Sequence, residues 1–189
     1  MKYRVLYLAD LPADTLRQWF SEADAETQAR LLGFRSAQAQ KQSLAADHLA
    51  REMLGEAVLL RRDGGGKPYA EGSDLCFNLS HSGEFAACAV HEGPVGIDLE
   101  ALREVSPRTA RRVCSAADLA FVYADGAFDS GRFLQIWTAK EAYLKYLGCG
   151  LRGKNLREVE TVAEGRLELP GLQLFTEQTD RYVLSVVYK

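Results

Sequence analysis

An uninterrupted helical pattern runs from Phe133 to Leu147, with neither Gly nor Pro inside it. Gly148 follows, where a helix C-terminus favours a left-handed residue. At 3.6 residues per turn, Trp137, Lys140, Glu141, Leu144 and Lys145 fall on one face. An aromatic, two ammoniums, a carboxylate and a leucine on one stripe depart from an apolar helix face, and charges aimed inward need a counterpart. The plain alternative is a Glu141–Lys145 pair at i,i+4, worth only about 0.2–0.5 kcal/mol.

Elsewhere the pattern predicts a strand over Tyr3–Leu8, broken by Leu11-Pro12, and a short helical face at Leu16, Trp19 and Phe20. Helices are expected over Glu26–Leu32 and Ser36–Leu54, the latter with Leu44, His48, Leu49 and Met53 near one face and Gly55 closing it. Arg61-Arg62-Asp63 and three glycines read as a flexible turn delivering Lys67-Pro68-Tyr69. From Leu75 the texture becomes strands: LCFNLSHSG, then EFAACAV, joined by Ser80–Glu84, then VGIDLE after the Gly93-Pro94 turn. Pro107 opens a helical region, and Ser115 with Asp118 forms a capping box ahead of Leu119, Phe121 and Val122. Asp125-Gly126 breaks it, and Asp129 or Ser130 caps the long helix. Strands are expected after Gly153, around Val159–Val162, Leu167–Leu169, Leu172–Thr176 and Tyr182–Tyr188.

Phe77 is followed by Phe85 and AACAV, and Leu174 at the same spacing by Tyr182 and VLSVV. Each half therefore reads as helices followed by an antiparallel hairpin. The fold class is α+β, a pseudo-two-fold duplication dividing into residues 1–103 and 104–189.

The chain has 189 residues, 47% of them apolar and 26% charged, ordinary values for a globular protein long enough to bury a core. A net charge of −3 gives no global basic field for nucleic acid or an anionic membrane. The N-terminus is too short and too polar for a signal peptide, and no apolar run approaches a membrane span, so a cytoplasmic protein is expected. Cys76, Cys88, Cys114 and Cys149 show neither CxxC spacing nor a neighbouring His pair; reduced thiols are expected, and zinc is not. Basic residues cluster locally, at Arg103, Arg108, Arg111 and Arg112.

Three stretches carry chemistry. In Ile97-Asp98-Leu99-Glu100, strand alternation puts Asp98 and Glu100 on one face, about 7 Å apart. Two such carboxylates repel unless a cation sits between them, and Mg²⁺ is the natural hard oxygen-seeking occupant; a solvated edge with two harmless acids is the alternative. Asn78-Leu79-Ser80-His81-Ser82-Gly83 packs hydroxyls, an amide and an imidazole into a turn suited to an anion, or is simple turn chemistry. No Gly-x-Ser-x-Gly elbow supports a serine hydrolase. Gly66-Lys67-Pro68 sets a lysine on a glycine hinge, without the frame of a Walker motif.

Taken in order, GKP, FNLSHSG, GIDLE and WTAKEAYLKYLGCGL resemble the 4′-phosphopantetheinyl transferase superfamily, surfactin-synthetase-associated (Sfp-like) type. The resemblance spans Gly66 to Leu151 and extends faintly upstream through ARLLGF and LAADHLAREML. It implies an enzyme that moves the phosphopantetheine arm of coenzyme A onto a serine of an apo acyl or peptidyl carrier protein, releasing adenosine 3′,5′-bisphosphate. By the same resemblance Asp98, Glu100 and Glu141 surround Mg²⁺, with Mn²⁺ a substitute, and Lys145 reaches a phosphate oxygen in the transition state. Ser80 and His81 match phosphate contacts, Lys67 approaches the nucleotide end of coenzyme A, and Arg30 and Ser43 fall where the 3′-phosphate binds. Glu141, directly or through a metal-bound water, is the candidate base, and Lys140 is read as orienting it. Where the family pattern has a second acid, this chain has the shorter Asp118, read as a helix cap outside the catalytic set. The four arginines are candidate contacts for an acidic carrier protein, against a solvated basic face. Residues 1–103 are expected to hold coenzyme A and the metal-binding strand, residues 104–189 the metal and lysine helix and the carrier contact. The active site then lies at their interface, and a monomer suffices. A non-catalytic coenzyme A or carrier-protein binding module, or another Mg²⁺-dependent phosphotransferase, are the competing functions.

Overall fold

The computed structural model describes residues 1–12, 14–55, 58–149 and 155–189. Gly150 and Leu151 of the long motif, and Gly153, lie outside the described residues. The chain forms two compact units, Met1–Glu92 and Gly93–Lys189.

In the first unit, β1 (Lys2–Tyr7) is followed by a 3₁₀ turn at Leu8–Asp10, then α1 (Thr15–Glu22), α2 (Ala25–Leu32) and α3 (Ala37–Leu54). β2 (Leu59–Arg62), β3 (Pro68–Glu71), β4 (Cys76–Ser82) and β5 (Phe85–His91) complete it. β1, β5 and β4 form an antiparallel sheet in that order, and β2 pairs with β3 in a separate hairpin. The central strand β5 is buried from Phe85 to Val90, which explains its unbroken apolar run. Ser36 caps α3 by accepting from the Ala39 amide, and Gly55, at φ 107°, ends it where an L side chain would be strained. Ala45, Ala46, Leu49 and Ala50 of α3 pack on Phe77, Ala86, Cys88 and Val90 of the sheet.

The second unit begins with β6 (Val95–Ala101), α4 (Pro107–Val113), α5 (Ala116–Val122) and α6 (Ser130–Leu147). After a 3₁₀ turn at Leu156–Glu158 come β7 (Val162–Ala163), β8 (Arg166–Leu167), β9 (Gln173–Gln178) and β10 (Tyr182–Tyr188). β6, β10 and β9 form an antiparallel sheet in that order. β6 pairs with β10 along its whole length, so it belongs to this unit, and the chain divides at 92/93 rather than at 103. The strands expected around Val159–Val162 and Leu167–Leu169 shrink to the two-residue β7 and β8, joined by a turn with Glu164 and Gly165 at positive φ. Ser115 and Asp118 make the expected reciprocal capping box, Asp129 caps α6, and Gly148 closes it in the left-handed conformation. The four cysteines are free thiols. Among the described residues no helix is long and apolar enough to cross a membrane.

Candidate active site

Gly96 decides how closely α6 lies on β6. A Cβ at this position would stand 2.0 Å from the Ala142 carbonyl oxygen and 2.5 Å from the Tyr146 nitrogen, so only glycine lets the helix backbone rest on the strand. Alternation then turns Asp98 and Glu100, on the same face as Gly96, toward α6. Lys145 Nζ donates to Asp98 Oδ1 at 2.8 Å and to the Ile97 carbonyl at 2.9 Å. Asp98 faces Ser185 across the β6–β10 ladder, and Ser185 Oγ bonds Thr138 of α6 and Thr176 of β9 at 2.8 and 3.0 Å. The floor of the site is thus a polar network that joins β6, α6, β10 and β9.

Glu141, one turn before Lys145, is 9% exposed, and its Oε1 is buried with no hydrogen-bond partner among the described residues. Burial pushes its carboxyl up to about 7, and the negative charges of Asp98 and Glu100 push the same way against the pull of Lys145. Three carboxyls that feel one another, with the buried Glu141 Oε1 among their oxygens, are the donor chemistry of a hard divalent ion. Among the described residues, however, no three His, Cys, Asp or Glu side chains converge as a ready metal cage. The Lys145 ammonium stands beside Asp98 instead.

Lys140 corrects one expectation. Its side chain is fully buried and turns away from Glu141, with Nζ 2.6 Å from Asp118 Oδ2. It also donates to the Val113, Leu156 and Val159 carbonyls at 3.1, 2.7 and 2.9 Å. Lys140 therefore does not orient Glu141. Neighbouring helix residues point about 100° apart, so the broad stripe read from the sequence splits between two partners. Asp118 is likewise more than a cap: it also accepts from Thr161 Oγ1 at 3.0 Å. The capping signal was legible, and the charge at Lys140 was the sign that a buried counterion was needed.

In the first unit, Arg30 Nη1 donates to Ser43 Oγ at 2.8 Å, bringing together two residues chosen from separate helices. Asp47 and Arg62 join them unforeseen: Asp47 pairs with Arg30, and Arg62 Nη2 donates to Asp47 Oδ1 at 2.9 Å. The signal available was a carboxylate amid the alanines and leucines of LAADHLA. Lys67 follows a turn that is tied rather than loose. Asp63 Oδ1 accepts from the Gly65 and Lys67 amides at 2.9 Å, and its own backbone bonds Lys67 and Gly66. Ser80 and His81 lie within β4, paired with Ala87 and Ala86; only Gly83 and Glu84 make the turn. Adjacent strand residues point to opposite faces, so Ser80 is buried while His81 is exposed. His48 stacks on Trp19 with ring centroids 3.7 Å apart. Arg108, Arg111 and Arg112 are exposed on α4, whereas Arg103 reaches back to Glu100 at 3.3 Å.

Residues 94–187, which hold β6 and α6, match the family model of the 4′-phosphopantetheinyl transferase superfamily. Three relatives agree. The chain is 33% identical over 97 residues to the 4′-phosphopantetheinyl transferase gsp of Aneurinibacillus migulanus, covering 51% of this chain and 40% of that protein. It is 33% identical over 109 residues to psf-1 of Bacillus pumilus, covering 55% and 47%, and 35% identical over 79 residues to Sfp of Bacillus subtilis strain 168, covering 41% and 35%. Through this region the chain belongs to the 4′-phosphopantetheinyl transferase superfamily. The matched stretch spans less than half the length of each of these relatives.

Proposed function

We propose that the protein transfers the 4′-phosphopantetheine arm of coenzyme A to a serine hydroxyl of an apo acyl or peptidyl carrier protein, releasing adenosine 3′,5′-bisphosphate. The observation that carries this reading is the β6–α6 junction, where Gly96 lets Glu141 and Lys145 meet the carboxylate of Asp98 within the segment matched to the superfamily.

In the reaction a bond forms between the serine oxygen and the β-phosphorus of coenzyme A, and the bond from that phosphorus to the departing nucleotide phosphate breaks. Glu141 takes the serine proton. Lys145 leaves Asp98 for a diphosphate oxygen, where its charge is worth most as negative charge builds. Asp98, Glu100 and Glu141 would hold Mg²⁺ or Mn²⁺, which when bound supplies charge neutralisation at the diphosphate and Lewis acidity. Lys67, Ser80, His81, Arg30 and Ser43 are assigned to coenzyme A. The exposed Arg108, Arg111 and Arg112 are assigned to an acidic carrier protein. The halves are read as a duplication, which the matching strand orders β1-β5-β4 and β6-β10-β9 support.

The test is release of adenosine 3′,5′-bisphosphate from coenzyme A. The reading requires release only when an apo carrier protein and a divalent ion are both present. Release without any carrier would indicate a hydrolase. Binding of coenzyme A without release on several carriers would indicate a binding module.

A further inference from the structure

Three strands of the second unit line up a row of side chains on the face that carries α6. Asp98 of β6, Ser185 of β10 and Thr176 of β9 stand directly opposite one another in the two ladders, and opposed residues share a face of the sheet. Thr138 of α6 meets this row. Its Oγ1 lies 2.8 Å from Ser185 Oγ, which lies 3.0 Å from Thr176 Oγ1. Thr138 Oγ1 is also 2.9 Å from the Leu134 carbonyl oxygen, and a carbonyl only accepts. Thr138 therefore donates there, Ser185 donates to Thr138, and Thr176 donates to Ser185. Every hydroxyl proton in the chain has an acceptor. Thr138 and Ser185 are fully buried, and Ser185 interrupts the buried apolar run Val183–Val187. Apolar side chains would fill this space without choosing an orientation, whereas directional bonds choose one. The rest of the contact is smooth: Ala139 and Ala142 are small and buried, and Gly96 opposite has no side chain. Lys140 ties α6 to Asp118 of α5, not to this sheet.

We propose that the Thr176–Ser185–Thr138 hydroxyl chain sets the rotation of α6 about its own axis and so aims Glu141 at Asp98 and Glu100. Thr138 and Ser185 are positioning residues and touch no substrate. The inference rests on the role given to Glu141 above, and it adds what holds that carboxyl in place. Glu141 and Lys145 follow Thr138 by three and seven residues, so all three lie within about 60° of one another around the helix. A helix with its side chains is about 10–12 Å across, so a rotation of only about 10° shifts the Glu141 carboxyl by about 1 Å. A misplacement of about that size can cost about a hundredfold in rate.

The test is a pair of substitutions at Thr138 in the full chain, read by calorimetric titration of Mg²⁺ in the presence of coenzyme A and by carrier-modification kinetics. Thr138→Val keeps the branched shape and removes the hydroxyl. Ser185 then turns its proton to Thr176, which is half-buried and passes its own to water, so the variant should fold. It should bind Mg²⁺ about tenfold more weakly and lose about tenfold or more in kcat, with KM for coenzyme A within about twofold of wild type. Thr138→Ser rebuilds the chain and should bring both values back to within about threefold of wild type. A merely structural role would lower Tm yet leave Mg²⁺ affinity and kcat per folded molecule unchanged, and that result overturns the proposal. Equal losses in the Val and Ser variants overturn it too. Should Thr138→Val fail to fold, Ser185→Ala serves instead: weakened Mg²⁺ binding supports the chain and wild-type binding overturns it. If the wild type binds Mg²⁺ and modifies the carrier, and Thr138→Val does both equally well, this inference alone is removed. A wild type that does neither removes the transferase reading as well.

Discussion

Lys140 Nζ and Asp118 Oδ2 lie 2.6 Å apart with both side chains wholly excluded from solvent. The pair ties α6 to the start of α5, and the three carbonyls that Lys140 also reaches draw α4 and the 3₁₀ turn at Leu156–Glu158 onto the same helix. The helix that carries Glu141 and Lys145 on one side is anchored on the other by a charge of its own. Removing one partner leaves the other charge buried and uncompensated, which costs about 3–5 kcal/mol.

Lys140→Met should therefore lower Tm by on the order of 10 °C for a chain of this size. Thermal unfolding followed by circular dichroism measures it. An unchanged Tm would show that the pair does not hold α6 in place.

Gly96→Ala should both destabilise and inactivate. With the Ala142 carbonyl 2.0 Å from the added carbon, α6 must lift from β6, and forced overpacking costs about 1–3 kcal/mol or more. The same lift carries Glu141 and Lys145 away from Asp98. Urea unfolding and carrier modification, measured on one preparation, should fall together; full activity in a destabilised variant would mean that the close approach does not set the site.

Much of this was legible in the sequence. The capping box at Ser115–Asp118, the Asp129 cap and the left-handed Gly148 follow from local hydrogen-bonding chemistry, and the structure has all three. Alternation along β6 put Asp98 and Glu100 on one face without any tertiary knowledge. What failed needed long-range partners. Periodicity put Lys140 beside Glu141 because it cannot see that Asp118 waits on the other flank. It read Ser80 and His81 as a turn because Ser and His tolerate turns, whereas pairing with β5 extends the strand to Ser82. The division at 103 failed because pairing of β6 with β10, far along the chain, is not a local property.

Glu141 should make stability depend on pH in a particular sense. Burial pushes its carboxyl up to about 7 in the folded chain, above the ordinary carboxyl value of 4.5, so between these pH values the folded state binds more protons than the unfolded one. Stability then falls as pH rises through that window. In the presence of a chelator, Glu141→Gln should be more stable than wild type at pH 8, by at most about 3 kcal/mol, and the gain should vanish toward pH 4.5. Adding Mg²⁺ should reverse the order at pH 8 by stabilising only the wild type. Parallel Tm profiles for the two proteins at all pH values would contradict this account of Glu141.

Arg108→Glu with Arg111→Glu should raise the apparent KM for an acidic carrier protein on the order of tenfold at low salt, with the effect shrinking as salt is added. Coenzyme A affinity should not change. Arg103, held by Glu100, is left out of this set. Steady-state kinetics with the carrier as varied substrate decide it, and an unchanged KM would remove α4 as the carrier contact.

The proposed function has the β6–α6 junction move a phosphopantetheine group from coenzyme A to a carrier serine. Intact-mass analysis of an apo carrier protein, incubated with the protein, coenzyme A and Mg²⁺, tests it most directly. The carrier should gain one phosphopantetheine group, and the gain should be lost when the carrier serine is replaced by alanine and lost with Glu141→Gln in a protein that remains folded. An unmodified carrier with the wild-type protein across acyl and peptidyl carrier types, or full modification by Glu141→Gln, would contradict it.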